Sequence, residues 1–233
     1  MSRKFYDRIK SFQKKSPIIF AADLLDFNRI NSILNCIIKY IGGVKIGLPL
    51  LLSFGLNNIG KIIEKYRSQT VFIADLKLAD IGFINRVNSE ILFKKGFDAV
   101  IVHAFIGRDA LLPIVDLAEK MGRGVFTVCA MSHKGGEEFL NKNYERLLEI
   151  SITSRVDGLI LPATYTKYIK YARKMDKRIL ILSPGIGFQG ADIGSALDAG
   201  ADFEIIGRTI YLSRDPCSTV KHILEKLRRY GYR

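Results

Sequence analysis

Short runs of apolar residues alternate along this chain with longer stretches in which apolar residues return every three or four positions. The runs fall at 17–22, 44–47, 71–77, 98–104, 124–130, 157–161, 178–182 and 202–207. They are rich in Ile, Val and Phe and bounded by Gly, Asp or Pro, which predicts strands. The periodic stretches predict helices. The first covers 3–15, with Phe5, Ile9 and Phe12 on one face; others cover 26–41, 56–66, 83–95, 109–121, 137–154, 166–175, a short piece near 193–199, and 216–229. Gly42-Gly43 stops the second helix and Pro216 opens the last. Near-continuous apolar strands indicate a parallel sheet buried on both faces. Eight strand–helix units with no Ser/Pro-rich linker predict an α/β architecture, a (β/α)8 TIM barrel, as one domain over 1–233 with a short N-terminal helix. The competing doubly wound sheet needs a Gly-rich turn after its first strand, and Ala22-Asp23-Leu24-Leu25-Asp26 has no glycine.

Composition leaves this picture in place. Hydrophobic residues make up 48% of the 233 and charged residues 25%, enough for a full core beneath a hydrated surface. No apolar run approaches the roughly 18 residues that span a bilayer. The basic start, Met1 to Arg8, lacks an apolar segment behind it and does not read as a signal peptide. Cys36, Cys129 and Cys217 are far apart, odd in number and without a CxxC pair, so reduced thiols in a cytoplasmic protein are expected.

The net charge of +13 raises the question of nucleic acid. It is concentrated in 1–15, 165–178 and 221–233, three peripheral helical segments, with the remainder near neutral. Solvated helix faces account for it, and no aromatic-plus-basic RNA motif or zinc spacing argues for a nucleic-acid partner.

One strand carries charge where packing would forbid it. In Val71-Phe72-Ile73-Ala74-Asp75-Leu76-Lys77, residues 71, 73, 75 and 77 share a face, and Asp80 follows in the next loop. Burying an acid and a base at a strand end is costly unless they are paired and used. In a barrel the functional groups stand at the carboxyl ends of the strands. Asp23, Lys45, Asp75, Lys77, His103, Ser132, Gln189 and Arg208 all fall there. Each also has a plain reading: Asp23 as a helix cap, Lys45 with its head group out in water, His103 and Cys129 as packing residues, Gly207-Arg208 as a surface turn. The late loops, 183–190 with its glycines and Gly207-Arg208-Thr209, lie where barrels frequently bind phosphate, and an Arg suits that anion.

The ordered set of motifs resembles the orotidine 5′-monophosphate decarboxylase family over essentially the whole chain. It comprises Val44-Lys45-Ile46-Gly47 with Pro49, Asp75-Leu76-Lys77-Leu78-Ala79-Asp80-Ile81, Ala130-Met131-Ser132-His133, Gly185-Ile186-Gly187-Phe188-Gln189-Gly190, and Gly207-Arg208-Thr209-Ile210-Tyr211. The resemblance implies conversion of orotidine 5′-monophosphate (OMP) to UMP and CO2 in pyrimidine synthesis, with no metal or organic cofactor. It implies that Lys77 protonates C6, that Asp75 faces the departing carboxylate, and that Lys45 and Asp80 complete an alternating charge array. Asp23 and Lys45 would touch the ribose and Ser132 the pyrimidine edge. Gln189 and Arg208, with the backbone of Pro184, Gly185 and Gly207, would hold the phosphate. A homodimer is implied, with Asp80 and Ile81 entering the neighbour's site. Ile84 stands where relatives often carry Thr, removing one polar contact. The rivals are a Mg2+-dependent keto-sugar-phosphate decarboxylase or aldolase of the same superfamily, which would carry Glu where Lys45 stands, and a basic RNA-binding barrel protein.

Overall fold

The computed structural model describes residues 3–229. Eight parallel strands close into a barrel in sequence order: β1 Ile18–Ala21, β2 Gly43–Gly47, β3 Val71–Leu78, β4 Ala99–His103, β5 Gly124–Val128, β6 Gly158–Ile160, β7 Leu180–Pro184 and β8 Phe203–Ile206. The helices are α1 Arg3–Lys15, α2 Phe27–Ile37, α3 Leu48–Tyr66, α4 Gly82–Lys94, α5 Arg108–Met121, α6 Tyr144–Thr153, α7 Thr166–Met175, α8 Ser195–Asp198, α9 Arg208–Tyr211 and α10 Pro216–Arg229. The first and last strands meet in register, with Ile19 opposite Ile205. The expected barrel is therefore the observed one.

Alternation along the strands divides the core in two. Ile19, Val71, Ile73, Ile101, Phe126, Leu182 and Phe203 fill the barrel interior, whereas Phe20, Val44, Phe72, Ala74 and Val100 pack outward against the helices. Phe5 and Ile9 of α1 belong to the interior cluster, so the N-terminal helix plugs the bottom of the barrel, the end opposite the strands' carboxyl termini. Burying each of these two side chains contributes about 2–3 kcal/mol. Gly124 opens β5 directly beneath the Phe5 ring, where any Cβ would overlap it.

The basic residues of α1 hold that plug in place. Arg8 Nε lies 2.9 Å from Asp98, Lys10 Nζ 3.2 Å from Asp202, and Lys15 donates to the carbonyls of Ile38 and Gln69. Arg173 of α7 likewise donates to the carbonyls of Ile179 and Gly200 and pairs with Asp202 at 2.8 Å. Four of the twelve basic residues in 1–15 and 165–178, Arg8, Lys10, Lys15 and Arg173, are thus engaged within the molecule. No helix among the described residues is long and apolar enough to cross a membrane.

Three local expectations need correction. The third helix begins eight residues earlier than its pattern suggested, with Pro49 in its first turn, and is broken at Gly55, whose φ of 70° only glycine adopts freely. The segment 137–154 is not one helix. Two tight turns, Lys134–Glu138 and Asn141–Asn143, precede α6, because the buried Asn141 side chain leaves the helix to bond both Met131 N–H and Met131 C=O. The cysteines are not all reduced: Cys36 of α2 and Cys217 of α10 form a disulfide, with Cα atoms 5.7 Å apart. Barrel closure places the first and last strand–helix units side by side, so a separation of 181 residues is no obstacle. Cys129 is free and buried, and burial pushes its thiol up to about 11.

Candidate active site

A cavity of about 300 Å3 opens at the carboxyl end of the barrel. Asp23, Lys45, Asp75, Lys77, Ser132, Pro184, Gly185, Gln189, Gly207 and Arg208 all border it. The ten residues come from six different strand ends and their loops, and only the closed sheet brings them together.

On the floor of the cavity the charges alternate. Lys45 Nζ contacts both oxygens of Asp23 at 3.2 Å and Oδ2 of Asp75 at 2.9 Å. Lys77 Nζ lies 2.8 Å from Oδ1 of the same Asp75. Burial would lower the Lys45 ammonium, but Asp75 and Asp23 outweigh it and raise its pKa above the ordinary value. Burial would likewise raise Asp75, but Lys45 and Lys77 outweigh it and hold the carboxyl below the usual range. Lys45 and Asp75 each hold the other in its charged form. Two plain readings fail here. Asp26, not Asp23, caps α2 by accepting from the Arg29 N–H, and Lys45 is buried between two carboxylates instead of reaching to water.

Lys77 reaches its position through an irregularity. Ala74 pairs with Val100 of β4 and Leu78 with Val102, so β3 spends four residues where β4 spends two. Within that bulge Lys77 takes φ 48°, an uncommon conformation for a residue with a Cβ. The bulge releases 75–77 from pairing with β4, while Asp75 still pairs with Gly47 of β2, and turns the lysine over the cavity. His103, at the end of β4, stacks on Phe105 with ring centroids 4.7 Å apart. Burial and then the nearby Lys77 charge lower its pKa, so it stays neutral.

The loop after β7 crosses the mouth. Ser132 Oγ donates to Gln189 Oε1 at 2.9 Å, and the Phe188 N–H donates to Thr209 Oγ1 at 3.1 Å. Gly187 sits against Thr209 with φ 69°, leaving no room for a Cβ. Arg208, the first residue of α9, places its guanidinium carbon 3.9 Å from the centre of the Phe188 ring. Beyond the loop, Glu204 of β8 accepts from the N–H groups of Gly194 and Ala196, and burial pushes its carboxyl up to about 7.

Asp80 and Ile81 stand apart from the array. Both are exposed on the rim, Ile81 by 67%, and the Asp80 carboxylate accepts only from the next backbone N–H among the hydrogen bonds seen. Sequence reasoning missed Phe188, Tyr211 and Met131 as cavity residues, and Asn141 and Glu204 as the groups that tie down the flanking loops. A carboxylate inside the apolar run 202–207 was the available signal for Glu204; no comparable signal marked the others.

Comparison with known proteins agrees with this geometry. The Orotidine 5′-phosphate decarboxylase / HUMPS family model matches residues 16–223. The chain is 37% identical over 216 residues to the orotidine 5′-phosphate decarboxylase of Methanosarcina mazei, covering 92% of this chain and 96% of that protein. It is 35% identical to the Thermococcus kodakarensis protein of the same name, covering 92% and 98%. Among solved structures, the Methanocaldococcus jannaschii orotidine 5′-monophosphate decarboxylase complexed with the inhibitor BMP superposes with a TM-score of 0.84 at 33% identity, covering 91% of this chain and 98% of that one. The Pyrococcus horikoshii enzyme gives 0.83 at 36%, covering 91% and 99%. With the barrel, the charge array and this likeness over nearly its full length, the chain belongs to the orotidine 5′-phosphate decarboxylase / HUMPS family.

Proposed function

We propose that this protein decarboxylates OMP to UMP and CO2 in pyrimidine biosynthesis, and that the Asp23–Lys45–Asp75–Lys77 array does the chemistry. The observation that carries the reading is the Lys77 ammonium, held 2.8 Å from Asp75 over the cavity. As the bond between C6 and the carboxylate breaks, CO2 departs and the electron pair remains on C6. The ring delocalises that pair poorly, so stabilisation must come from a fixed nearby cation. Lys77 supplies it and then transfers a proton to C6, leaving UMP and a neutral amine that regains its proton from solvent. Its side chain, 38% exposed, has access to water for that last step.

Asp75 has two tasks. It holds both ammonium groups, and it faces the carboxylate that leaves. Asp23 and Lys45 would meet the ribose hydroxyls and Ser132 the pyrimidine edge. Arg208, Gln189 and the backbone of Pro184, Gly185 and Gly207 would bind the 5′-phosphate. Lys45 also separates the two branches of the family name. It bridges both floor carboxylates, so the donors that could face a divalent cation are already satisfied by an ammonium. This favours the decarboxylase over a Mg2+-dependent sugar-phosphate enzyme.

The working unit is inferred to be a homodimer in the cytoplasm. Leu52, in the helix after β2, and Ile81 and Phe83, in the segment after the neighbouring β3, are exposed apolar side chains suited to a second copy, and Asp80 precedes Ile81 directly. Dimerisation would deliver Asp80 and Ile81 to the neighbouring cavity. The test is an ultraviolet assay with OMP in EDTA, identifying UMP as product. Conversion lost in Lys77→Ala supports the assignment; a folded, dimeric protein without conversion overturns it. Two inactive variants, Lys77→Ala and Asp80→Ala, regaining activity when mixed would support sites shared across the dimer, and no regain would refute it.

A further inference from the structure

Phe188 has no packing reason to be aromatic. It is 60% exposed at the tip of the Gly-rich loop after β7, outside both parts of the core. What its ring does touch is Arg208, whose guanidinium carbon lies over the ring at 3.9 Å, well inside the range of a cation–π contact. No ion pair of Arg208 with a carboxylate is found among the described residues, so the ring is the group that restrains its charged end. The backbone reinforces the same docking. The Phe188 N–H donates to Thr209 Oγ1, and Gly187 packs on the Thr209 side chain, so two adjacent loop residues rest on two adjacent residues of α9. The next residue, Gln189, reaches the opposite wall and Ser132.

We propose that Phe188 is a positioning residue for the phosphate end of the substrate, a flat platform that holds the Arg208 guanidinium in the plane from which its N–H groups meet the anion. This rests on the phosphate assignment of Arg208 made above. A guanidinium has five N–H donors in a rigid fork, and two of them match two phosphate oxygens only if the plane is set correctly. An aromatic face stacks on that plane and leaves the N–H edge free, which a carboxylate partner would not. A carboxylate would occupy the donors and cancel the charge. The ring therefore restrains the arginine without competing with the phosphate. Because Phe188 and Gln189 are neighbours in one loop, this platform also ties the phosphate contact to the position of the Ser132 wall.

The test compares Phe188→Leu, Phe188→Ala and Phe188→Tyr with the parent, using UMP and uridine as probes that differ only in the phosphate. Leucine keeps apolar bulk without a π face, and tyrosine keeps the face. The expected result is about a tenfold loss of UMP affinity in the Leu and Ala variants, with uridine unchanged within twofold and Phe188→Tyr like the parent. In turnover of OMP, KM should rise while kcat at saturation stays within twofold. Equal losses for UMP and uridine, or a Leu variant indistinguishable from the parent, would overturn the platform. The parent is assayed in the same preparation. If the variants show this pattern with UMP while the parent fails to turn over OMP, the decarboxylase reading falls and the platform stands. If it turns over OMP and Phe188→Leu changes nothing, the reading stands and the platform falls.

Discussion

Asp75 Oδ1 and Lys77 Nζ lie 2.8 Å apart, although one residue separates them in a strand that should carry their side chains in parallel. Residues i and i+2 on a flat strand share a face and stand roughly 7 Å apart at their Cα atoms. The β3 bulge and the positive φ of Lys77 bend the backbone between them so that the ammonium meets the carboxylate above the cavity. A conformation of this kind costs about 1 kcal/mol or more and persists when its surroundings enforce it. Here the ion pair rewards the bend, and the bend aims the lysine.

Lys77→Ala should lower kcat/KM for OMP by at least about 10^4-fold, the combined scale of a proton donor and an electrostatic stabiliser. Asp75 keeps Lys45 in that variant, so the protein should fold and bind UMP within a few-fold of the parent. Isothermal titration alongside the ultraviolet assay measures both. Comparable turnover would remove Lys77 from the reaction.

Lys45→Met should be costly even without substrate, because it leaves Asp23 and the buried Asp75 short of their shared cation. A loss of about 3 kcal/mol in urea unfolding is expected. The pH dependence has a definite sign. Asp75 is depressed in the folded state, so its contribution is present above the ordinary carboxylate pKa and is lost as pH falls through the lower folded value. Lys45 is raised, so its contribution is present below the ordinary lysine pKa and is lost as pH rises through the higher folded value. The Lys45→Met penalty should therefore be level across neutral pH and shrink in strong acid. A penalty that peaked in acid would contradict the pairing.

Glu204→Gln tests the anchor beneath the β7–β8 loop. Burial raises Glu204 to about 7, so the folded state holds the proton more tightly than the unfolded chain does. Its stability contribution is present below the ordinary carboxylate pKa and is lost as pH rises toward 7. The glutamine variant does not ionise and keeps an oxygen for the Gly194 and Ala196 N–H groups. The variant's Tm relative to the parent should rise by about 5 °C between pH 4.5 and pH 8. Parallel Tm curves would show that Glu204 does not titrate in this window.

The Cys36–Cys217 disulfide joins the helices after the first strand and after the last, the seam that closes the barrel. Such a long loop makes the cross-link worth up to about 5 kcal/mol in the chain-entropy view. Cys36→Ser, or the parent with excess reductant, should melt several degrees lower, with the kcat of the folded enzyme little changed. Both sulfurs are away from the cavity. Equal melting of oxidised and reduced protein would mean that the link does not restrain the unfolded chain.

Much of this molecule was legible before any coordinates. Strands β1 to β8 could be read because a parallel barrel buries both faces, and the apolar runs that this demands leave Asp75 and Lys77 conspicuous. Seven of the ten cavity residues could be named because strand ends and the loops after them are where a barrel displays polar groups, whereas Pro184, Gly185 and Gly207 came with the family resemblance. What the sequence could not show depends on contacts between distant segments. Asp23 could have capped α2, and only the pairing of β1 with β2, which sets Ala21 opposite Lys45, placed it within reach of Lys45. Phe5 and Ile9 looked like one face of a surface helix, and became a plug because the open bottom of the barrel offered a larger apolar surface than solvent did. Cys36 and Cys217 looked unrelated because separation along the chain says nothing about a fold whose last strand pairs with its first. The bulge at Lys77 and the ring beneath Arg208 are likewise tertiary facts: the energy that fixes each comes from a partner that local pattern cannot name.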